Sequence, residues 1–312
     1  MMDKMLSILL FSYQSEDKLF RTSKVIIDKM EEENIPFELI IIDDGSKDDS
    51  WSVAQSIAES DSRISCYALS KNYGVDMAQY AGMEVCKGAC VVTVPDDLER
   101  PIENVVQMYR AWKDGNKIIM GVRASRKDGL FTKIASSIYF KCVNFVTDLN
   151  IPKGGVDGYM IDREIIEIMK SRVSPTHSIA KIELLRLGYD PVFIEYHRPK
   201  LNEKSRWTLR KKVNMFSDTI FSITSFPIRI ITILGLLIFI VCIILITLIF
   251  IAKVYTDSTL FGLPIPGWAT IVTFVTLFNG LILFCLGVVA EYIWRIYEEV
   301  KDRPAFLIKD KK

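Results

Sequence analysis

A surplus of either charge, clustered cysteines and a glycine-rich turn are what this sequence lacks, and each absence excludes a class of chemistry. Lysine and arginine number 39 against 38 aspartates and glutamates, which leaves a formal net charge of +1. A chain so balanced has no general basic face for a polyanionic duplex, so nucleic acid is not an expected partner. The cysteines Cys66, Cys86, Cys90, Cys142, Cys242 and Cys285 stand at no metal-ligand or disulfide-framework spacing, and they fit buried thiols in a reducing compartment. Of the histidines, His177 beside Pro175 and Thr176 reads as a loop or helix-cap residue, and His197 carries no assigned role. The first apolar run leads into Ser12-Tyr13-Gln14. That run has no glycine-rich turn to hold a dinucleotide pyrophosphate, which argues against an NAD-binding module. Residues 5–11 are too short an apolar stretch, and too closely flanked by Asp3, Glu16 and Asp17, to read as a secretory leader. No internal repeat or low-complexity linker interrupts the chain.

Two long stretches lack charge almost completely, and they hold the apolar excess of a sequence that is 50% hydrophobic with a mean hydropathy of +0.22. Residues 228–251 and 268–290 contain no aspartate, glutamate or lysine, and Arg229 is their one charged residue. Each is long enough to cross a hydrocarbon core of ~30 Å at ~1.5 Å per residue. Core helices of a large domain rarely stay uncharged for so long, so the expectation is two transmembrane helices. Arg206, Arg210, Lys211, Lys212 and Arg229 precede the first run, and Arg295, Lys301, Arg303, Lys309, Lys311 and Lys312 follow the second. The intervening loop, which turns near Pro264, Pro266 and Gly267, carries Lys253 against Asp257. This asymmetry predicts a multi-pass protein of the plasma (inner) membrane with both termini and the soluble part in the cytoplasm.

The remainder alternates between two periods. Residues 6–11, 39–42, 64–69, 91–94 and 118–122 are short apolar or β-branched runs bounded by polar residues, which predicts strands of a parallel or mixed sheet. Residues 18–32, 49–59, 75–86 and 102–114 between them return apolar side chains at about 3.6-residue spacing, which predicts covering helices and an α/β domain. Asp48 or Asp49 before Trp51, and Pro101, mark helix starts. Residues 130–149 and 207–226 form a second kind of helix, apolar and aromatic on one stripe and basic on another. Either can pack on the soluble core or lie in the headgroup plane. The second, which interleaves Phe216, Ile220 and Phe221 with Arg210, Lys211 and Lys212, runs straight into the first apolar span.

Two acidic groups stand where predicted strands end, the place where open α/β sheets bind ligands. Asp43-Asp44-Gly45-Ser46 follows the strand ending at Ile42. Its carboxylates can accept hydrogen bonds from a base or ribose, although an Asx turn capping the next helix would account for the same residues. Asp96, Asp97 and Glu99 follow Val94. On an extended segment Asp97 and Glu99 would point the same way and could share a cation, whereas an acidic turn before Pro101 is the plainer reading. Arg123 and Arg126 offer guanidinium forks suited to a phosphate, or are ordinary solvated bases.

Taken in order, Asp43-Asp44-Gly45-Ser46, Lys71-Asn72-Tyr73-Gly74, Asp96-Asp97-Leu98-Glu99-Arg100-Pro101, Gly121-Val122-Arg123 and Glu203-Lys204-Ser205-Arg206-Trp207 resemble the motifs of membrane-bound family 2 glycosyltransferases. The similarity is to the polyprenyl-phosphate sugar transferases, acting on undecaprenyl or dolichyl phosphate, and it spans nearly the whole chain. It implies a GT-A nucleotide-diphospho-sugar transferase domain over 1–204, an amphipathic interfacial region over 205–227, a two-helix transmembrane domain over 228–294 and a cytoplasmic tail over 295–312. It further implies that Asp43, Asp44, Ser46 and Lys71 bind the nucleotide sugar, UDP- or GDP-linked, with Ser205 and Arg206 closing over its diphosphate. Arg123 and Arg126 would meet the acceptor phosphate. Asp97 would be both catalytic and a ligand of a divalent cation, Mg2+ or Mn2+.

The sequence departs from the family's Asp-x-Asp-Leu-Gln-Asp-Pro at three places: Pro95 replaces the first Asp, Glu99 the Gln and Arg100 the third Asp. The carboxylate lost at Pro95 bears directly on metal binding, and Glu99 is the candidate to restore it as a second metal ligand. Gly154-Gly155-Val156-Asp157-Gly158-Tyr159 with Ile161-Asp162-Arg163 resembles the family's Gly-Asp-Phe-Arg-Leu-Met-Asp-Arg, matching Asp157 to its acid and Tyr159 to its Arg. Asp157 is therefore a catalytic candidate, either as a base or as the partner of a sugar hydroxyl or a basic side chain. The function expected is inverting sugar transfer onto a polyprenyl phosphate at the bilayer. The alternatives are extension of a lipid-linked saccharide at a sugar hydroxyl and a catalytically inactive membrane scaffold. A homo-oligomer is left open.

Overall fold

The computed structural model describes residues 4–98, 100–123, 152, 155–176, 178–197, 259–260, 263–264, 267–301 and 303–312, with single helical positions between 231 and 247. The chain divides into two compact units, Met1–Thr208 with Pro304–Lys312, and Leu209–Arg303.

The first unit is built on an eight-stranded mixed sheet. Its strands are β1 (Leu6–Ser12), β2 (Phe37–Asp43), β3 (Ile64–Leu69), β4 (Cys90–Pro95), β5 (Ile118–Arg123), β6 (Val156–Asp162) and β7 (Val192–Tyr196). In the second unit β8 (Thr259–Leu260) and β9 (Leu263–Pro264) pair with each other, and β10 (Ile308–Lys311) returns to the first. The order is β10-β3-β2-β1-β4-β6-β5-β7. Strands β1 to β4 are parallel, β6 runs antiparallel to both of its neighbours, and β7 is parallel to β5. β1 and β2 are apolar along most of their length because helices cover both faces of the sheet, the pattern of a doubly covered parallel core.

On one face lie α1 (Glu16–Glu32), α2 (Ser50–Ser60) and α4 (Ile102–Lys113), whose Leu19, Ile26, Ile57 and Met108 join Ile8, Leu10, Ile41 and Val92. On the other lie α3 (Val75–Val85), α5 (Arg163–Arg172) and α6 (Ala180–Arg186), which pack on Leu9, Ile40, Val91 and Tyr159. Leu9 thus faces away from Ile8 and Leu10, the alternation that period two requires. From β1 the chain builds outward to β2 and β3 on one side and then crosses to β4 on the other. The strand order therefore reverses between β1 and β4, and a crevice opens at their carboxyl ends.

The five predicted strands and four predicted helices are all present, with ends shifted by a residue or two. Two features lie at the expected domain boundaries. Residues 308–311, assigned from the sequence to the cytoplasmic tail, form β10 against the open edge of β3, since an uncovered edge of backbone donors and acceptors is a ready template for another strand. The helix that contains the second apolar segment spans Gly267–Val300. Among the described residues one helix is long and apolar enough to cross a membrane, over Phe278–Tyr297. The first apolar run, 228–251, is described only at single helical positions, and the amphipathic stretches 130–149 and 207–226 lie outside the described residues.

Candidate active site

Register places the candidate residues at one end of the sheet. Ser12 aligns with Asp43, Phe11 with Pro95, and Arg123 with Tyr196. Because β6 is antiparallel, with Val92 opposite Met160 and Val122 opposite Val156, its first residues reach this same end. The carboxyl ends of β1, β2, β4, β5 and β7 and the start of β6 therefore lie along one end of the sheet.

At the end of β2 the two aspartates do different work. Asp43 accepts from the Ser46 amide at 3.0 Å and the Ser46 hydroxyl at 2.5 Å, a closed Asx turn. Asp44 accepts instead from the amides of Tyr73 and Gly74, at 2.7 and 2.8 Å, so its carboxylate clamps the loop that follows β3. Both are nearly sealed, 2% and 5% exposed. Burial raises the Asp43 carboxyl, against the Ser46 bonds that favour its charge and with Asp48 adding repulsion. Burial pushes Asp44 up to about 6, against the two amide bonds and with Asp43 adding repulsion.

Gly45 makes the clamp feasible. Its φ is +65°, and a Cβ there would overlap the Lys71 carbonyl carbon and come within 2.7 Å of the Asn72 nitrogen. Lys71 is exposed and lies with Nζ 4.9 Å from the centre of the Tyr73 ring. The Gln14 amide donates to Ser46 Oγ at 3.0 Å, which ties the turn after β1 to the same group.

At the end of β4 the strand stops at Pro95, and Asp96 and Asp97 form a turn followed by Leu98 at φ 50°. The alternate-position argument for Asp97 and Glu99 assumes an extended segment, whereas Asp97 stands in a turn. The Ser15 hydroxyl donates to the Asp96 carboxylate, and Thr22 Oγ1 donates to the Asp96 carbonyl at 2.8 Å, which fixes this turn to the start of α1. Asp97 is half-buried in the turn, and Glu99 lies outside the described residues. Among the described residues no three His, Cys, Asp or Glu side chains gather as a metal cage. Of the two carboxylates described in this turn, Asp96 is held by Ser15, and Asp97 is the candidate to meet a cation carried chiefly by a substrate's phosphate oxygens, as Mg2+ commonly is.

Across β6 stands an ionic group that the sequence placed only in pieces. Arg123 Nε donates to Asp157 Oδ2 at 2.9 Å, Arg123 Nη2 lies 2.8 Å from the same oxygen, and the Tyr196 hydroxyl donates to it as well. Burial opposes the charge on Asp157, but Arg123, Lys181 and the Tyr196 hydroxyl more than offset it and hold the carboxyl below its usual value. Burial likewise opposes the charge on Arg123, and Asp157 keeps that guanidinium ionised.

Arg100 lies behind this group, 2% exposed, donating from Nη2 to the Thr93 carbonyl, with Nε and Nη1 unpartnered among the described residues. It fits because Gly158 has no side chain, since a Cβ there would collide with the Arg100 guanidinium. Sequence reasoning noted Arg100 only as a departure and missed Tyr196 and Ser15. A strand over 192–196 ending beside Arg123 would have been the signal for Tyr196. Arg126, Ser205, Arg206, Lys211 and Lys212 lie outside the described residues.

Comparison with known proteins bears on the same stretch. The sequence model described as glycosyl transferase family 2 matches residues 7–167. The chain is 28% identical over 305 residues to the uncharacterized glycosyltransferase YkcC of Bacillus subtilis, covering 97% of this chain and 93% of the relative. It is 28% identical over 278 residues to the bactoprenol glucosyl transferase of Shigella phage SfX, covering 88% and 89%. Among solved structures, mannosyl-3-phosphoglycerate synthase from Rubrobacter xylanophilus superposes with a TM-score of 0.48 at 16% identity, over 68% of this chain and 70% of the other.

Proposed function

This chain belongs to glycosyl transferase family 2 and is a glycosyltransferase, and on that footing we propose that it transfers a sugar from a nucleotide-diphosphate donor to a polyprenyl phosphate at the cytoplasmic face of a membrane, inverting the anomeric carbon. The observation that carries the proposal is the placement, at one end of the sheet, of a buried carboxylate turn (Asp43 with Ser46) and a separate guanidinium (Arg123 braced by Asp157). Such a site can take a nucleotide on one side and an anionic acceptor on the other. The relatives named for bactoprenol support a polyprenyl acceptor. The exposed apolar side chains of the helix Gly267–Val300, such as Ile271, Ile282 and Leu286, support a bilayer as its surroundings.

In this reading Asp43 accepts hydrogen bonds from the nucleoside, while Ser46 and Lys71 border its ribose and diphosphate. Arg123 holds the acceptor phosphate in line with the anomeric carbon. An oxygen of that phosphate forms the new bond to carbon as the bond to the donor diphosphate breaks, and the nucleoside diphosphate leaves with the electron pair. Phosphate monoesters lose their second proton near pH 6 and arrive ionised, so little work remains for a base. Asp157, held ionised by Arg123, is a poor proton acceptor and acts by fixing that arginine. This weighs against the alternative in which a sugar hydroxyl of a lipid-linked saccharide is deprotonated. A divalent cation beside Asp97 would neutralise charge on the leaving diphosphate. Arg126, Ser205 and Arg206 are proposed, from the family resemblance, to complete the two phosphate sites.

The test is to incubate membranes containing the chain with a panel of nucleotide sugars and undecaprenyl phosphate, and to weigh the lipid product. A polyprenyl monophosphosugar is expected. Release of free sugar alone, or product only when the acceptor already carries a sugar, overturns the reading.

A further inference from the structure

The residues that follow the long helix return to the sheet of the first unit. Phe306 is 9% exposed and packs in the core cluster that holds Ile42, Leu69 and Ala78. β10 then runs antiparallel to β3, with Ile308 opposite Leu69 and Lys311 opposite Tyr67, and Lys312 exchanges two backbone hydrogen bonds of 2.8 Å with Cys66. The Lys312 side chain pairs with Glu59 at the end of α2. The contact nearest the site is the Ser70 amide, which donates to the Leu307 carbonyl at 2.9 Å. Ser70 begins the loop whose Tyr73 and Gly74 amides are bound by Asp44, and its hydroxyl meets the Tyr73 hydroxyl at 2.9 Å. The loop from 70 to 74 is thus held at one end by the C-terminal segment and at the other by Asp44, with Gly45 pressed against its middle.

We propose that residues 304–312 are a positioning element of the donor site: they hold the loop 70–74 in the shape that lets Lys71 and the Asp43–Ser46 turn receive the nucleotide. The inference rests on the reading of that turn as the donor site. Its physical basis is entropy, since a loop fixed at both ends before binding loses less freedom when the nucleotide arrives. In sequence the segment follows, after residues 301–303, a helix proposed to lie in the bilayer.

The experiment uses the full chain in membranes beside a variant ending at Arg303 and a Phe306→Ala variant. Three quantities are measured for each: KM for nucleotide sugar, KM for polyprenyl phosphate, and equilibrium binding of uridine and guanosine diphosphates. The expected result is a rise of about tenfold in donor KM and nucleotide Kd for the truncated chain, with acceptor KM held within about twofold. Phe306→Ala should give a smaller change in the same direction, and a peptide of residues 304–312 added in trans should restore donor binding. An unchanged nucleotide Kd in a truncated chain that keeps its melting temperature overturns the proposal. So does a parallel loss of donor and acceptor use that the peptide does not repair, because that describes general destabilisation. If the truncated chain does not fold, Phe306→Ala decides by the same split, and an unaltered donor KM overturns the proposal. Nucleotide binding is read without turnover, so absence of transfer in the parent chain would count against the proposed function and leave this inference separately testable.

Discussion

At the scale of single residues, two carboxylates in this chain, Asp44 and Asp157, are shifted in opposite directions by their surroundings. Asp44 is raised from 3.8 to about 6, chiefly by burial, so the folded state holds a proton there that the unfolded chain has already lost. Its contribution to stability is therefore greatest at the acid side of that window and falls as pH rises from 3.8 to about 6. Melting the parent and Asp44→Asn across this range should show the parent losing ground to the variant as pH rises, and a parallel pair of curves would contradict the assignment. Asp157 has the opposite sign. Arg123 depresses it against the pull of burial, so its contribution is present at neutral pH and lost as pH falls through its folded value. Asp97 carries a different expectation. Asp97→Asn should lower transfer by about 100-fold or more and raise the Mg2+ or Mn2+ concentration needed for half-maximal rate, because a neutral amide attracts a divalent cation less strongly. Metal titration of purified variants reads this directly. Full activity of the parent after exhaustive chelation would move charge stabilisation to the basic side chains.

At the scale of elements, the site depends on turns more than on strands. Gly45 accepts a positive φ and a backbone approach that no side chain permits. Gly45→Ala should cost about 1–2 kcal/mol for the left-handed conformation alone. The overlap with Lys71 should also displace the loop held by Asp44. Thermal melting should fall and donor KM should rise, with acceptor KM little altered, and an unchanged donor KM would show that the loop has no part in binding. The elements themselves were legible where period and length agree. β1 to β5 and α1 to α4 declare themselves by runs of apolar residues and by 3.6-residue spacing. β6 was missed because Asp157, Gly158 and Asp162 interrupt its apolar pattern. β10 was missed because Lys309, Asp310 and Lys311 read as a solvated tail. An edge strand contributes backbone hydrogen bonds while its side chains stay in water, so it leaves little trace in hydropathy.

At the scale of the whole molecule, the expectation is that the chain enters and leaves the bilayer on one side. The charge asymmetry argues for it: bases flank both apolar runs outwardly, and the connecting loop carries Lys253 against Asp257. Single cysteines introduced at Thr256 or Thr259 in a background free of native thiols should react with an impermeant reagent in intact cells. Reaction only after the membrane is ruptured would overturn this orientation and with it a cytoplasmic donor site. The helix Gly267–Val300 would extend about 50 Å at 1.5 Å per residue, more than a hydrocarbon core of about 30 Å. A helix of that length can span and still project beyond the apolar layer.

Sequence alone determined what is encoded locally or in ordered motifs. The apolar runs, the alternation of strand and helix, and the acidic residues at strand ends are each readable within a window of a few residues. The order of Asp43-Asp44-Gly45-Ser46, Lys71-Asn72-Tyr73-Gly74 and the turn at Asp96-Asp97 pointed to a glycosyltransferase. Tertiary structure decided which of those residues meet. Asp44 turned to the loop at Tyr73 and Gly74 because β2 and β3 are neighbours. Asp157 reached Arg123 and Tyr196 because β6 inserts antiparallel between β4 and β5. Arg100 became a buried cation because Gly158 leaves room for it, and the last residues became a strand because β3 had an open edge. Contacts between residues so far apart in the chain are fixed by which strands pair and what that pairing buries, and local periodicity carries no record of either.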